Sequence, residues 1–164
     1  MHFRSLRELH FSYFCDSIMA RIVAIDYGMK RTGLAATDES GKIAFGLQTV
    51  ATHELPLFLK NYVSRQEVSA FVVGEPRQLN NEPTDATAEI NAFVKRLGKL
   101  FPEIPVYRMD ERFTSVMASK AILASGIRKQ ERKNKALVDE VSATIILQSW
   151  LEQQYFKNSN NSPG

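Results

Sequence analysis

A single cysteine, Cys15, stands among 164 residues. That excludes an intramolecular disulfide framework and a cysteine-rich zinc site. Histidine is scarce too. His2 and His10 lie in an N-terminal stretch without sustained periodicity, and His53 falls at a predicted helix start, where capping suits it better than catalysis. With no general base near Cys15, thiol chemistry is not expected. No apolar run approaches the roughly 20 residues that cross a bilayer. Arg4 and Arg7 give the chain a basic start, but Glu8, His10, Ser12 and Asp16 break any apolar segment behind them, so a secretory signal is not expected. Internal repeats and long linkers are also missing. These absences point to a cytoplasmic protein with no membrane partner.

What is present is enough for one domain with a real core: the length lies within the roughly 100–200 residues of a single domain, and 44% of the residues are hydrophobic. Net charge is only +3, but it is unevenly spread. From Arg108 to Lys135 eight basic residues (among them Arg108, Arg112, Lys120, Arg128, Lys129, Arg132 and Lys133) face only Asp110, Glu111 and Glu131. Such local asymmetry suits a polyanionic partner, or simply a solvated basic loop. Residues 1–18 are aromatic-rich and unlike the rest. They are either an accessory segment or the product of an upstream start codon, and the break in pattern at Met19 favours the second. The domain is expected over 19–156, with a polar, disordered tail over 157–164.

Between those ends the pattern is α/β. Arg21–Ile25 is an apolar, β-branched run suited to a strand buried on both faces. Gly33–Thr37 and Ile43–Val50 predict two further strands, with turn chemistry at Glu39-Ser40-Gly41. Leu55, Phe58, Leu59, Tyr62 and Val63 recur at helical spacing. Ala70–Gly74 predicts a buried strand, Ile90, Phe93, Leu97 and Leu100 a helix, and Pro105–Met109 a fifth strand. Helices follow over Thr114–Ser125 and Leu137–Gln154. An antiparallel meander followed by βα units implies a mixed five-stranded sheet flanked by helices, in the element order of the ribonuclease H fold.

Carboxylates fall where chemistry could use them. Asp26 ends the first strand, Glu75 the fourth and Asp110-Glu111 the fifth, while Asp139 sits in the first turn of the last helix. An ionised side chain at a buried strand end is costly unless paired or bound to a cation. If the first and fourth strands are neighbours, Asp26 and Glu75 are adjacent, and two carboxylates about 4 Å apart repel by about 4 kcal/mol at an effective dielectric of 20. A divalent cation removes that cost, and oxygen-only ligands suit Mg²⁺ or Mn²⁺. Each acid also has a plainer reading: Asp26 as a turn former, Asp139 as helix N-terminal charge, Glu75 paired with Arg77 or Arg108, and Asp110 or Glu111 with Arg112.

Four ordered motifs carry a family resemblance. Asp26-Tyr27-Gly28-Met29-Lys30-Arg31-Thr32-Gly33 resembles the opening signature of the YqgF family, also called RuvX, a family of candidate pre-16S rRNA nucleases. Val72-Val73-Gly74-Glu75-Pro76, Asp110-Glu111-Arg112 and Asp139-Glu140-Val141-Ser142-Ala143 resemble its later motifs, and the match runs from Arg21 to about Tyr155. The resemblance implies a metal-dependent nuclease related to Holliday junction resolvases, acting on precursor rRNA or branched DNA. It makes Asp26, Glu111 and Asp139 catalytic metal ligands, with Asp110 in support. Glu75 departs from the usual apolar residue, as an extra ligand or an arginine partner. Lys30, Arg31, Arg77, Arg112, Arg128, Lys129, Arg132 and Lys133 are the expected phosphate contacts, with 128–135 forming a mobile loop beside the acids. Two rivals remain: a phosphotransferase of the actin and sugar-kinase fold, for which one domain is too short, and a non-catalytic nucleic-acid-binding module, against which the complete acid set argues.

Overall fold

The structure, a computed structural model, describes residues 20–75, 85–110 and 133–160. The leader over 1–18, the predicted helix Thr114–Ser125 and the basic stretch through Arg132 lie outside the described residues.

Five strands form one mixed sheet: β1 Arg21–Asp26, β2 Arg31–Thr37, β3 Ala44–Ala51, β4 Val68–Glu75 and β5 Val106–Asp110, in the order β3-β2-β1-β4-β5. The first three strands are antiparallel, and β4 and β5 run parallel to β1. The predicted meander followed by βα units is therefore present. β1 is central, which is why its run of Val23, Ala24 and Ile25 is wholly buried. Between β2 and β3 the turn is built by Asp38, whose carboxylate accepts the N–H groups of Lys42 (3.0 Å) and Ile43 (2.9 Å). Gly41 supplies the positive φ of 72° that the turn needs. The Ser40 hydroxyl and then the Ile43 N–H hold the Asp38 carboxyl down at about 2.

Alternation along the strands divides the core in two. On one face Val23, Ile25, Leu34, Phe71 and Val73 pack against α1 (Leu55–Arg65) and α2 (Asp85–Leu100) through Leu55, Leu59, Ile90, Phe93 and Leu97. Leu100, expected on the buried stripe of α2, is 39% exposed. On the other face the sheet offers small side chains, Ala24, Ala35, Ala70 and Val72, and a single long helix, α3 (Lys135–Asn160), lies across them. The buried residues of α3 that meet this face are Ala143, Ile146, Leu147 and Trp150, while Leu137 and Val141 nearer its start are only half-buried.

Both ends of α3 differ from expectation. Asn134 acts as its N-cap: the side-chain oxygen accepts the N–H groups of Ala136 (3.2 Å) and Leu137 (3.4 Å), so the helix begins two residues before Leu137. Asp139 consequently sits in the second turn, where the helix dipole contributes little, and the dipole explanation for this acid loses its footing. At the other end α3 continues to Asn160, and residues 157–160 of the expected disordered tail are helical. No glycine or proline interrupts 135–160, and the Ser159 hydroxyl donates back to the Tyr155 carbonyl at 2.9 Å. Among the described residues no helix is long and apolar enough to cross a membrane.

Candidate functional site

Asp26 ends β1 on the face that carries Ile22 and Ala24, the face covered by α3. Directly across the ladder from it is Gly33 of β2. A side chain at Gly33 has no room: a Cβ there would run into the backbone carbonyl of Asp139 and come within 3.0 Å of the Asp139 Cβ. The second turn of α3 thus rests on the glycine that faces Asp26 across the two strands. Two acids separated by most of the sequence share one corner of the sheet because one residue lacks a side chain. The very next residue of α3, Glu140, lays its side chain over Gly46 of β3, with Cγ 2.7 Å from where a Cβ would be. Thr49 of β3 completes the seat, its hydroxyl donating to the Ala136 carbonyl at 2.5 Å.

Arg31, the first residue of β2, projects on the same side and donates from Nε to Asp139 Oδ2 at 2.8 Å. The pair is open to solvent, with the Arg31 side chain 41% and that of Asp139 23% exposed. Asp139 therefore carries a cation beside it, and its other oxygen is not part of that contact. Lys133 is exposed just ahead of the Asn134 cap, at the same end of α3.

The loop joining β1 to β2 is fixed from the opposite face. The Thr52 hydroxyl donates to the Gly28 carbonyl at 2.6 Å, and the Thr52 N–H donates to the Lys30 carbonyl at 3.0 Å. Tyr27 stacks on Phe93 of α2, with centroids 4.5 Å apart. A residue directly after Asp26 is thereby held in the core, which limits how far the aspartate can wander.

Glu75 does not join this corner. Ile25 is level with Val73, so Asp26 is level with Gly74, and Glu75 falls on the α2 side of the sheet with Phe71 and Val73. There it meets Arg108 at 3.1 Å, and Arg108 also donates to Asn91 of α2 at 2.6 Å. Of the two sequence readings of Glu75, arginine partner is the one the geometry supports. The expectation that it adds to the acid cluster is corrected by strand alternation: Asp26 and Glu75 end adjacent strands but face opposite ways. Asp110 ends β5 in register with Glu75. Arg77, Glu111, Arg112, Arg128, Lys129 and Arg132 lie outside the described residues. Among the described residues no three histidine, cysteine, aspartate or glutamate side chains gather as a metal site.

Sequence reasoning missed two participants. Thr52 pins the Asp26 loop, and nothing in the spacing of Ala51-Thr52-His53 signals it. His53 does not cap the helix start, for the short 3₁₀ turn Thr52–Glu54 has no side-chain cap. It lines a cleft beside that loop instead.

Residues 20–153 match a family model described as RuvX, Holliday junction resolvase. The chain belongs to the RuvX family. A relative from Bacteroides thetaiotaomicron, named as a candidate pre-16S rRNA nuclease, is 54% identical over 138 residues, which are 84% of this chain and all of the relative. Another from Porphyromonas gingivalis, named likewise, is 55% identical over 134 residues, 82% of this chain and 97% of the relative. Among solved structures, a Fowlpox virus resolvase in complex with Holliday junction DNA aligns with a TM-score of 0.53 at 13% identity, covering 82% of this chain and 98% of that one. The RuvX chain has the ribonuclease-H-like fold, with Asp26 on its central strand and Asp139 on the helix that crosses the sheet.

Proposed function

We propose that this chain is a metal-dependent endonuclease that hydrolyses phosphodiesters in structured nucleic acid, with precursor 16S rRNA as its substrate in the cytoplasm. One observation carries the reading: Asp139 is brought to the Asp26 corner through Gly33. Carboxylates with no histidine or cysteine among them fit Mg²⁺ or Mn²⁺. Asp26 and Asp139 would hold the ion, with Asp110 or Glu111 supplying the third carboxylate. A divalent ion so placed would supply an activated water and neutralise charge on the phosphoryl oxygens. Arg31, with Lys30, draws the phosphate backbone toward the acids, and Arg77, Arg112, Arg128, Lys129, Arg132 and Lys133 extend that attraction. The names of the relatives support rRNA as substrate.

A four-way DNA junction is the second reading, favoured by the description of the family. Both readings use the same chemistry and differ only in the partner. The test is cleavage of a precursor 16S rRNA fragment and of a synthetic junction, each with Mn²⁺, by wild type, Asp26→Asn and Asp139→Asn. Both variants should bind the substrate and fail to cut it. Full cleavage by either removes it from the metal site, and cleavage of the junction alone reverses the substrate assignment.

A further inference from the structure

On the opposite face of the sheet from Asp139, the Tyr27–Lys30 loop, the 3₁₀ turn and α2 enclose an open cleft of about 630 Å³. That volume lies in the range of about 300–1,000 Å³ typical of small-ligand sites. We propose that this cleft takes an unpaired nucleotide strand flanking the scissile phosphodiester, as a single-strand subsite of the nuclease. The inference rests on the nuclease reading for the origin of the strand, but its test does not read cleavage.

The cleft is apolar in its depth, with Phe93 and Leu97 buried at its floor. Its mouth is different. Met29 is 62% exposed and Leu100 39%, two apolar lining side chains left in water. Two cations, Lys30 and Arg96, line the same cleft against a single carboxylate, Glu89. Apolar surface for bases bordered by cations for phosphates is the combination that single-stranded nucleic acid selects.

Position gives the occupant its route. The wall of the cleft is the loop that begins one residue after Asp26, and Lys30 is four residues beyond the aspartate. Those four residues span at most about 14 Å. A strand leaving the acid corner over the end of β1 therefore reaches the cleft within a few nucleotides. Thr52 and the Tyr27–Phe93 stack hold that wall in place, so the subsite is formed before substrate arrives.

The experiment uses the full chain in EDTA and compares a blunt duplex with the same duplex carrying a six-nucleotide single-stranded extension, in RNA and DNA forms. Wild type should bind the extended duplex at least tenfold more tightly. The double variant Met29→Ala/Arg96→Glu alters only exposed side chains and should lose that preference while keeping its affinity for the blunt duplex. Trp150 is on the far face of the sheet, so Leu100→Trp places a new fluorophore at the mouth, and the extended duplex alone should quench it. A gain confined to one nucleic acid identifies the natural strand. No gain from the extension, a gain that survives the double variant, an equal loss on both duplexes, or an unquenched Leu100→Trp each overturns the proposal. Absence of cleavage by wild type in the separate Mn²⁺ assay, with the preference for the extended duplex intact, overturns the nuclease reading alone.

Discussion

Arg31 Nε lies 2.8 Å from Asp139 Oδ2, joining the first residue of β2 to the second turn of α3. A guanidinium held against a proposed metal ligand is a built-in competitor for the ion. Arg31→Ala should raise the affinity for Mn²⁺ severalfold in the absence of nucleic acid, measured by calorimetry, and weaken nucleic-acid binding. A half-exposed pair contributes at most about 1 kcal/mol, so the melting temperature should fall by no more than about 4 °C. Unchanged Mn²⁺ affinity would mean that Asp139 is not shared between the two cations.

Gly33 makes the sharpest steric prediction. Gly33→Ala forces a methyl group into the Asp139 backbone, and neither the strand nor the helix can turn aside as a flexible side chain would. Overpacking of this kind costs roughly 1–3 kcal/mol, or several degrees of melting temperature. Cleavage measured well below the melting transition should fall by more than the lost stability explains, since the helix carrying Asp139 moves. Gly98→Ala is the opposite case, because nothing lies within 4 Å of its Cβ on the exposed side of α2. It should stabilise the protein by about 0.5–1 kcal/mol. Equal behaviour of the two variants in thermal melts would refute the close contact.

How much of this was legible beforehand differs from residue to residue. The strands announced themselves because Ile22–Ile25 and Ala70–Val73 are apolar throughout, as central parallel strands must be. Asp26 stood out by its place at a strand end, whereas Asp139 stood out by an expected first-turn position that the structure moves to the second turn. Glu75 could not be placed, because one residue of register decides which face a strand residue takes, and register comes from pairing that no single strand encodes. The Asn134 cap lay hidden in a basic stretch whose charge drew attention away from its one asparagine. The cleft was invisible, as it is built from three separate segments.

The turn at Asp38 gives a prediction in pH. Its carboxyl is held at about 2 against an ordinary 3.8, by the Ser40 hydroxyl first and then the Ile43 N–H. A depressed folded value means stability that is present above the unfolded value and lost as pH falls from about 4 toward 2. Asp38→Asn should flatten the decline in melting temperature across that window. An NMR titration should find the Asp38 midpoint near 2, and a midpoint near 4 would show that the turn is open in solution.

The basic stretch before α3 should act through phosphate alone. Replacing Arg128, Lys129, Arg132 and Lys133 together with alanine should flatten the slope of log affinity against log salt by roughly 2–4 units, at about 0.9 per contact on duplex DNA. The loss should be alike for all sequences, since backbone contacts carry no base information. A slope equal to wild type would leave this stretch as a connector only.

The two acids that meet across Gly33 come from opposite ends of the fold, one on its first strand and the other on its last helix. Synthesis proceeds from the N-terminus at about 5–20 residues per second, so a growing chain possesses all five strands before it possesses Asp139. Until α3 has been made and laid on the small side chains of the sheet, a nascent copy has Asp26 without Asp139 beside it, and the corner that the proposed chemistry needs is incomplete.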